Sequence, residues 1–176
     1  MAVGEVRPGY ELWRPNREKA TAITTKAVMV LLLLATAGVC LLVTIGGLSL
    51  LEGGAGMAFV CFVYAGLYVL FAFMVARWSR GALTVSAAFS ILLLIFAAVA
   101  APSWFARDKA GFDEALLPDP LLGTLLLLLI PLQVLVIAVA MIAFNQDWHV
   151  EEERPVGSGD EYGTQPPPDE RAPQPA

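Results

Sequence analysis

Charged residues are absent from four long apolar stretches of this 176-residue chain, at 27–51, 55–76, 82–101 and 121–144. Each stretch reaches the length of about 20 apolar residues that a helix needs to cross a hydrocarbon core about 30 Å thick. Only helices and closed barrels satisfy every backbone hydrogen bond inside a bilayer, and the stretches lack the alternation of barrel strands. The sequence therefore predicts an all-α fold class, an integral membrane bundle of four antiparallel helices.

Residues that carry membrane chemistry are also scarce. Asp, Glu, Lys, Arg and His side chains within spans mark ion and proton pathways, and the four stretches contain none of them. The single histidine, His149, lies beyond the fourth stretch, which excludes a haem held between helices by two histidines. Cys40 and Cys61 stand alone inside stretches and form no C-x-x-C pair. We therefore expect no catalytic residue, no metal and no cofactor, and a protein that is not an enzyme. A thiol redox enzyme that uses these two cysteines remains a minor alternative.

Acidic residues are concentrated at the C-terminal end. The net charge is −5, but from Gln146 onward eight acidic residues face only Arg154 and Arg171. Half of the 12 prolines lie beyond Arg154 among few apolar residues, a composition that cannot bury enough surface to fold. The sequence predicts a disordered acidic, proline-rich tail over 146–176. An inert tail is favoured over a polyproline ligand for a cytoplasmic partner.

Three regions follow from these boundaries: a cytoplasmic segment with the start of helix 1 at 1–26, a four-transmembrane-helix domain at 27–145, and the tail. The first apolar stretch is too long for the core of a signal peptide, so we expect it to be retained. Asn16 is predicted to cap a helix that runs straight into the first span. The abundance of Ala, Gly, Pro and Arg resembles proteins of GC-rich bacterial genomes.

Basic residues near the span ends predict the orientation. Eight lie on the side of the termini, whereas only Arg107 and Lys109 lie on the other. By the positive-inside rule, both termini are cytoplasmic and the protein resides in the cell membrane. The longer outer loop, 102–118, mixes aromatic and charged residues and is interpreted as a lid or a half-helix along the interface. The lack of a further basic patch argues against nucleic-acid binding.

Aromatic residues beside the stretches are candidate partner contacts: Tyr10, Trp13, Trp104 and Trp148. Tryptophan and tyrosine are enriched where a protein meets lipid headgroups. Anchoring at the interface is therefore the favoured interpretation, and docking of a partner is the alternative.

A candidate intramembrane site centres on Gln133, which is the only amide deep within a stretch and follows Pro131 closely. Tyr64 and Tyr68 share one helical face with Phe71. A polar residue at this depth is a functional candidate, although a lone glutamine more often bonds a neighbouring helix. The aromatic face is more typical of packing than of a quinone or lipid cleft.

The leading hypothesis is a protein that acts by association, as an accessory or scaffolding subunit of a larger membrane complex or as a homo-oligomer. Its partners would be the lipid bilayer and either a membrane protein or a second copy of itself. The alternative is a small transporter or channel for an uncharged or lipid-like solute, with Pro131, Gln133 and the tyrosine face as its site.

Overall fold

Four long helices dominate the structure, a computed structural model that describes residues 9–51, 54–105 and 115–157. In chain order the elements are β1 (Tyr10–Trp13), α1 (Pro15–Glu18), α2 (Ala20–Gly46), a 3-10 turn (Leu48–Leu50), α3 (Gly54–Ala76), α4 (Arg80–Trp104), α5 (Asp119–Phe144) and β2 (Glu152–Pro155). Helices α2 to α5 are each long and apolar enough to cross a membrane. The prediction of a four-helix membrane bundle is confirmed, and by length and composition this is a multi-pass membrane protein.

Helix α2 is central to the bundle. It packs against both α3 and α5, and α4 packs along α5. Backbone contact between α3 and α4 is sparse by comparison. Aromatic rings bridge the boundary between α3 and α4, which we call the aromatic seam. The ring centroid of Phe89 on α4 lies 5.6 Å from that of Tyr64 and 5.4 Å from that of Phe71, both on α3. Large side chains thus close the side of the bundle where the helices are farthest apart.

The entry into the first span differs from the prediction. The short helix α1 ends at Glu18, and Lys19 has an extended backbone (φ −62°, ψ 131°), so α2 begins afresh at Ala20. Asn16 does not cap a helix, because its side chain donates a 3.2 Å hydrogen bond to the carbonyl of Asp147 and accepts one from Lys19 Nζ at 2.7 Å. A contact with the other end of the chain therefore replaces local capping.

The two ends of the described chain form a small antiparallel sheet. Strand β1 pairs with β2 so that Tyr10 lies opposite Pro155 and Trp13 opposite Glu152. The predicted start of the disordered tail at Gln146 therefore needs correction, because the chain as far as 157 belongs to the folded part. The rest of the predicted tail, 158–176, lies outside the described residues.

The physical reason for this correction is contact with residues far away in the sequence, by packing of the Trp148 ring on Trp78 and by pairing of charges at the sheet. Arg14 binds the carboxylate of Glu151, and Arg154 Nε donates to Glu11 Oε1 at 2.7 Å. The start of the acidic run thus has basic partners at the opposite end of the sequence. The composition of one short stretch of sequence cannot reveal charge partners that lie 137 positions away, as Arg14 and Glu151 do.

The opposite end of the bundle is closed by aromatic and aliphatic side chains over glycines. Trp104 packs on Gly47, Phe105 on Gly123 and Leu117 on Gly46. The backbone N–H of Leu117 also donates to the carbonyl of Gly46 at 3.1 Å. Residues 106–114 lie outside the described chain, and with them most of the loop interpreted as a lid or half-helix.

Candidate functional site

A hydrogen-bonded network of four polar side chains occupies the centre of the bundle, with one contributed by each long helix. Its members are Thr36 (α2), Tyr68 (α3), Ser90 (α4) and Gln133 (α5), and all four are 0% exposed. Burial of such groups in an apolar medium is costly unless each finds a partner. The geometry of the network decides whether it is complete.

Gln133 links three of the four helices. The Tyr68 hydroxyl donates to Gln133 Oε1 at 2.9 Å, and Gln133 Nε2 donates to Thr36 Oγ1 at 3.2 Å. The Tyr68 hydroxyl also lies 3.2 Å from Ser90 Oγ, and Thr36 Oγ1 donates to the carbonyl of Leu32 at 2.9 Å. None of these four side chains has a buried polar atom without a partner.

The structure brings together part of the predicted intramembrane site. Tyr68 and Gln133 bond directly, whereas Tyr64 lies at the half-buried edge of the aromatic seam, with its ring centroid 6.3 Å from that of Tyr68. Pro131 lies within α5, two residues before Gln133, and contributes no polar side-chain atom. Sequence reasoning did not find Thr36 and Ser90 as network members, because single hydroxyls in apolar helices usually bond their own backbone.

The second constellation lies at the basic end, which we define as the end where α2 and α4 begin and α3 and α5 finish. There the Trp78 and Trp148 rings meet edge to face, with centroids 5.0 Å apart and planes at 86°. Lys26 Nζ lies 3.9 Å from the centroid of the Trp78 ring, and Arg17 lies 5.6 Å from it. We call Trp78 and Trp148 the tryptophan pair.

Trp148 is held by polar as well as apolar contacts. It is 1% exposed, its indole N–H donates to Gln146 Oε1 at 3.0 Å, and Arg17 Nε donates to its carbonyl at 2.9 Å. Gln146 in turn donates to Thr25 Oγ1 of α2 at 2.9 Å. The segment that follows α5 is therefore fixed to α1, α2 and the α3–α4 turn.

The local backbone that positions the tryptophan pair is unusual. Both Trp78 and Asp147 have a positive φ, a conformation that costs a non-glycine residue energy. Such a strained backbone conformation persists where surrounding contacts hold it in place. The ring contacts of Trp78 and the interactions of the segment after α5 supply that constraint.

Burial and, to a smaller extent, neighbouring charges act on the cations of the basic end. Burial lowers the pKa of Arg17, with a further decrease from neighbouring Arg14 and an opposing effect of Glu151. Arg80 stands at the start of α4, where its guanidinium Cζ lies 4.0 Å from the centroid of the Phe144 ring. Its Nη1 lies 2.9 Å from His149 Nδ1, and its Nη2 lies 3.5 Å from Asp147 Oδ1.

The predicted partner contacts are dispersed over the molecule. Tyr10 and Trp13 lie in β1, where Arg154 is 5.3 Å from the Trp13 ring centroid and Trp13 Nε1 donates to Glu18 Oε1 at 2.8 Å. Trp148 is at the same end but buried, and Trp104 is buried at the opposite end. The four aromatics therefore form no single surface.

The positions of the possible metal ligands and of the two cysteines can be stated for the part of the chain that the structure describes. Over 9–51, 54–105 and 115–157, no group of three His, Cys, Asp or Glu side chains is placed to hold a metal ion. Cys40 is buried, Cys61 is half-buried, and both are free thiols.

No protein-family model matches the chain, and neither the curated proteins nor the solved structures contain a significant match. Function must therefore be argued from the geometry of the chain itself.

Proposed function

We propose that the protein is a non-enzymatic membrane protein that works by association, as an accessory or scaffolding subunit or as a homo-oligomer. The observation that carries this proposal is the saturated interior. Gln133 and Tyr68 are fully buried and bonded to each other and to neighbouring hydroxyls. Because their hydrogen-bonding groups are occupied, the outer surface is the part best suited to binding.

The outward face of α3 supports association. Five of its exposed residues lie at alternating spacings of three and four, which places them on one helical face: Phe59, Phe62, Gly66, Val69 and Phe73. A Cβ added at Gly66 would meet nothing within 4 Å. The glycine thus leaves open space, which we call the notch, between Phe62 and Val69 on this face. Close approach at small residues is a common basis of helix association in membranes.

The orientation forms part of the same proposal. The basic end carries Arg17, Lys26, Arg77 and Arg80 together with both ends of the described chain. Under the positive-inside rule this end faces the cytoplasm. A reporter domain that is active only in the cytoplasm should be active when fused to either terminus. Activity at both termini of a reporter that works only in the periplasm would reverse the assignment.

The test is affinity purification of the tagged protein from its native membrane in mild detergent, followed by mass spectrometry and a native mass of the assembly. A stoichiometric partner or a discrete homo-oligomer is expected.

Gly66→Leu should weaken the assembly, because the larger side chain fills the notch on α3. Gly38→Leu is the matched control, since Gly38 is also an open, exposed glycine but lies on α2. A monomer with no partner, or equal effects of the two variants, contradicts the proposal.

A transporter or channel for an uncharged or lipid-like solute is the second candidate. The seam between α3 and α4 favours it, because the rings of Tyr64, Phe71 and Phe89 rather than close helix packing fill that side. Tyr68, which bonds Gln133, contacts two of these rings. Gln133→Leu should then reduce solute flux into vesicles that contain the purified protein. Unchanged flux would remove this candidate.

A further inference from the structure

A lateral groove of about 230 Å³ lies between α4 and α5 near the basic end. Its lining is apolar on the side toward the bundle centre, and polar groups stand toward the basic end; the lining residues are Leu83, Thr84, Ala87, Ala140, Met141, Phe144 and Asn145. A groove of this kind matches a molecule with an apolar chain attached to a polar head.

Arg80 stands beside this polar mouth with donors to spare. Its guanidinium lies over Phe144, which lines the groove, at 4.0 Å from the ring centroid. A guanidinium has five N–H donors. Here Nη1 faces the ring of His149 at 2.9 Å, Nη2 is 3.5 Å from Asp147, and buried Nε has no hydrogen-bond partner. Arg80 is thus paired with Asp147 and His149, but its two terminal nitrogens carry four N–H groups, and these contacts leave some of them for a ligand.

Two further polar side chains at the mouth have free hydrogen-bonding capacity. Within the described residues, neither the Thr84 hydroxyl nor the Asn145 amide makes a side-chain hydrogen bond. Thr36, Thr44 and Thr124, by contrast, donate to the carbonyl four residues earlier. Thr84 and Asn145 are exposed on the two sides of the groove, one on α4 and one directly after α5.

We propose that this groove binds an anionic phospholipid from the leaflet at the basic end. The phosphate accepts hydrogen bonds from Arg80, with Thr84 and Asn145 as further polar contacts, and one acyl chain lies along Leu83 and Ala87. Guanidinium and phosphate form strong charge-assisted pairs. The phosphate would bind the terminal nitrogens of Arg80, beside the carboxylate of Asp147 that lies 3.5 Å from Nη2. This inference rests on the membrane location of the helices and does not require the proposed association.

Charge complementarity decides the occupant. Phosphatidylcholine also offers a phosphate, but its choline cation would add a positive charge beside Arg80 and the other cations of the basic end. A free phosphate ion would leave the apolar floor of the groove unused. An anionic headgroup beside an acyl chain satisfies both parts of the site. The short distance from Arg80 to Phe144 places the charge where a headgroup meets its chain.

The experiment measures lipid retention by native mass spectrometry of the full-length protein, with phosphatidylglycerol and phosphatidylcholine of identical chains. Preferential retention of phosphatidylglycerol is expected, and Arg80→Gln should reduce that preference by about fivefold, the usual effect of one basic residue at an anionic surface. Arg77→Gln is the matched control, because Arg77 lies at the same end but over the Phe73 ring of α3. Equal losses in both variants would show general charge attraction and overturn the site.

A second pair of variants tests the groove without changing charge. Ala87→Phe fills the groove and should lower phosphatidylglycerol retention, whereas Ala88→Phe places the same ring on an exposed position outside the lining. Equal retention by these two variants would contradict the proposal, even if Arg80→Gln disturbs the fold. Competition by millimolar inorganic phosphate that removes the lipid would identify a simple anion site and also overturn it.

Discussion

Trp148 packs edge to face on Trp78, and through this contact the segment after α5 is joined to the turn between α3 and α4. The contact links residues that are far apart in the sequence and excludes water from an end that carries several cations. Lys26 and Arg17 lie around the Trp78 ring, which adds cation–π attraction to the packing. The basic end is therefore an organised part of the fold.

Loss of Trp148 should open the basic end while the helical bundle remains. Trp148→Ala removes a fully buried ring, a change that typically costs about 3–5 kcal/mol. Trp148 contacts Trp78 in the α3–α4 turn, Arg17 of α1 and Gln146 after α5, so we expect the loss of stability to appear as local opening of this end. Hydrogen exchange should accelerate at 147–156 and in β1, with the centres of α2 to α5 still protected.

Leu12→Ala serves as the control for that experiment. Leu12 lies in β1 at the same end but is 50% exposed, so its truncation should change exchange little. Equal acceleration in both variants would mean that Trp148 has no special part in closing this end.

The central network predicts a specific loss of stability. Tyr68→Phe removes the hydroxyl that bonds Gln133 and leaves Oε1 without its donor, at a cost of about 1–2 kcal/mol. Unfolding of the purified protein by SDS titration in mixed micelles measures the change. Tyr64→Phe is the control, because the Tyr64 hydroxyl makes no hydrogen bond among the described residues, and its effect should be near zero.

A double-mutant cycle sharpens this test. Tyr68→Phe in a Gln133→Leu background should cost less than in the wild type, since the bond is already absent. Additive effects would show that the two side chains do not interact in the membrane.

The bundle could be predicted because its signal is local. A long uncharged stretch has few structures available to it in a bilayer, so each helix followed from its own residues. Gln133 and Tyr68 could be singled out as unusual for the same reason. Their hydrogen bond, and its extension to Thr36 and Ser90, depends on the orientation of each of the four helices about its own axis. The sequence of one helix does not specify that orientation.

The basic end could not be predicted for a related reason. From sequence alone, Trp78 and Trp148 each indicate an interface anchor at headgroup level and nothing about each other. Their contact requires positive φ at Trp78 and Asp147 together with the return of the C-terminal segment. The pairing of β1 with β2 is equally non-local, and strands this short carry almost no pattern of their own.

Ion pairs between the two ends of the chain should contribute little by themselves. Arg154→Gln breaks the pair with Glu11, whose side chain is 44% exposed, and the effect should stay below about 1 kcal/mol. Salt should weaken the sheet of β1 and β2 in the same way, because exposed pairs are screened. Hydrogen exchange in β1 at low and high salt measures both. A loss as large as that of Trp148→Ala would show that charge, rather than ring packing, holds this end together.

Two glycines, one within α2 and one directly after it, predict effects of opposite sign for the same Gly→Ala substitution. In Gly47→Ala the new Cβ would lie 2.6 Å from Trp104 Cζ3 and 3.1 Å from the carbonyl oxygen of Val43. Trp104 is 4% exposed and cannot move without disturbing its neighbours, so a loss of about 1–3 kcal/mol is expected. Gly38→Ala adds the same methyl group on an exposed helical position with nothing within 4 Å, and should be neutral or stabilising by up to about 1 kcal/mol. SDS titration of both variants measures the difference, and equal stabilities would mean that Trp104 does not rest on Gly47.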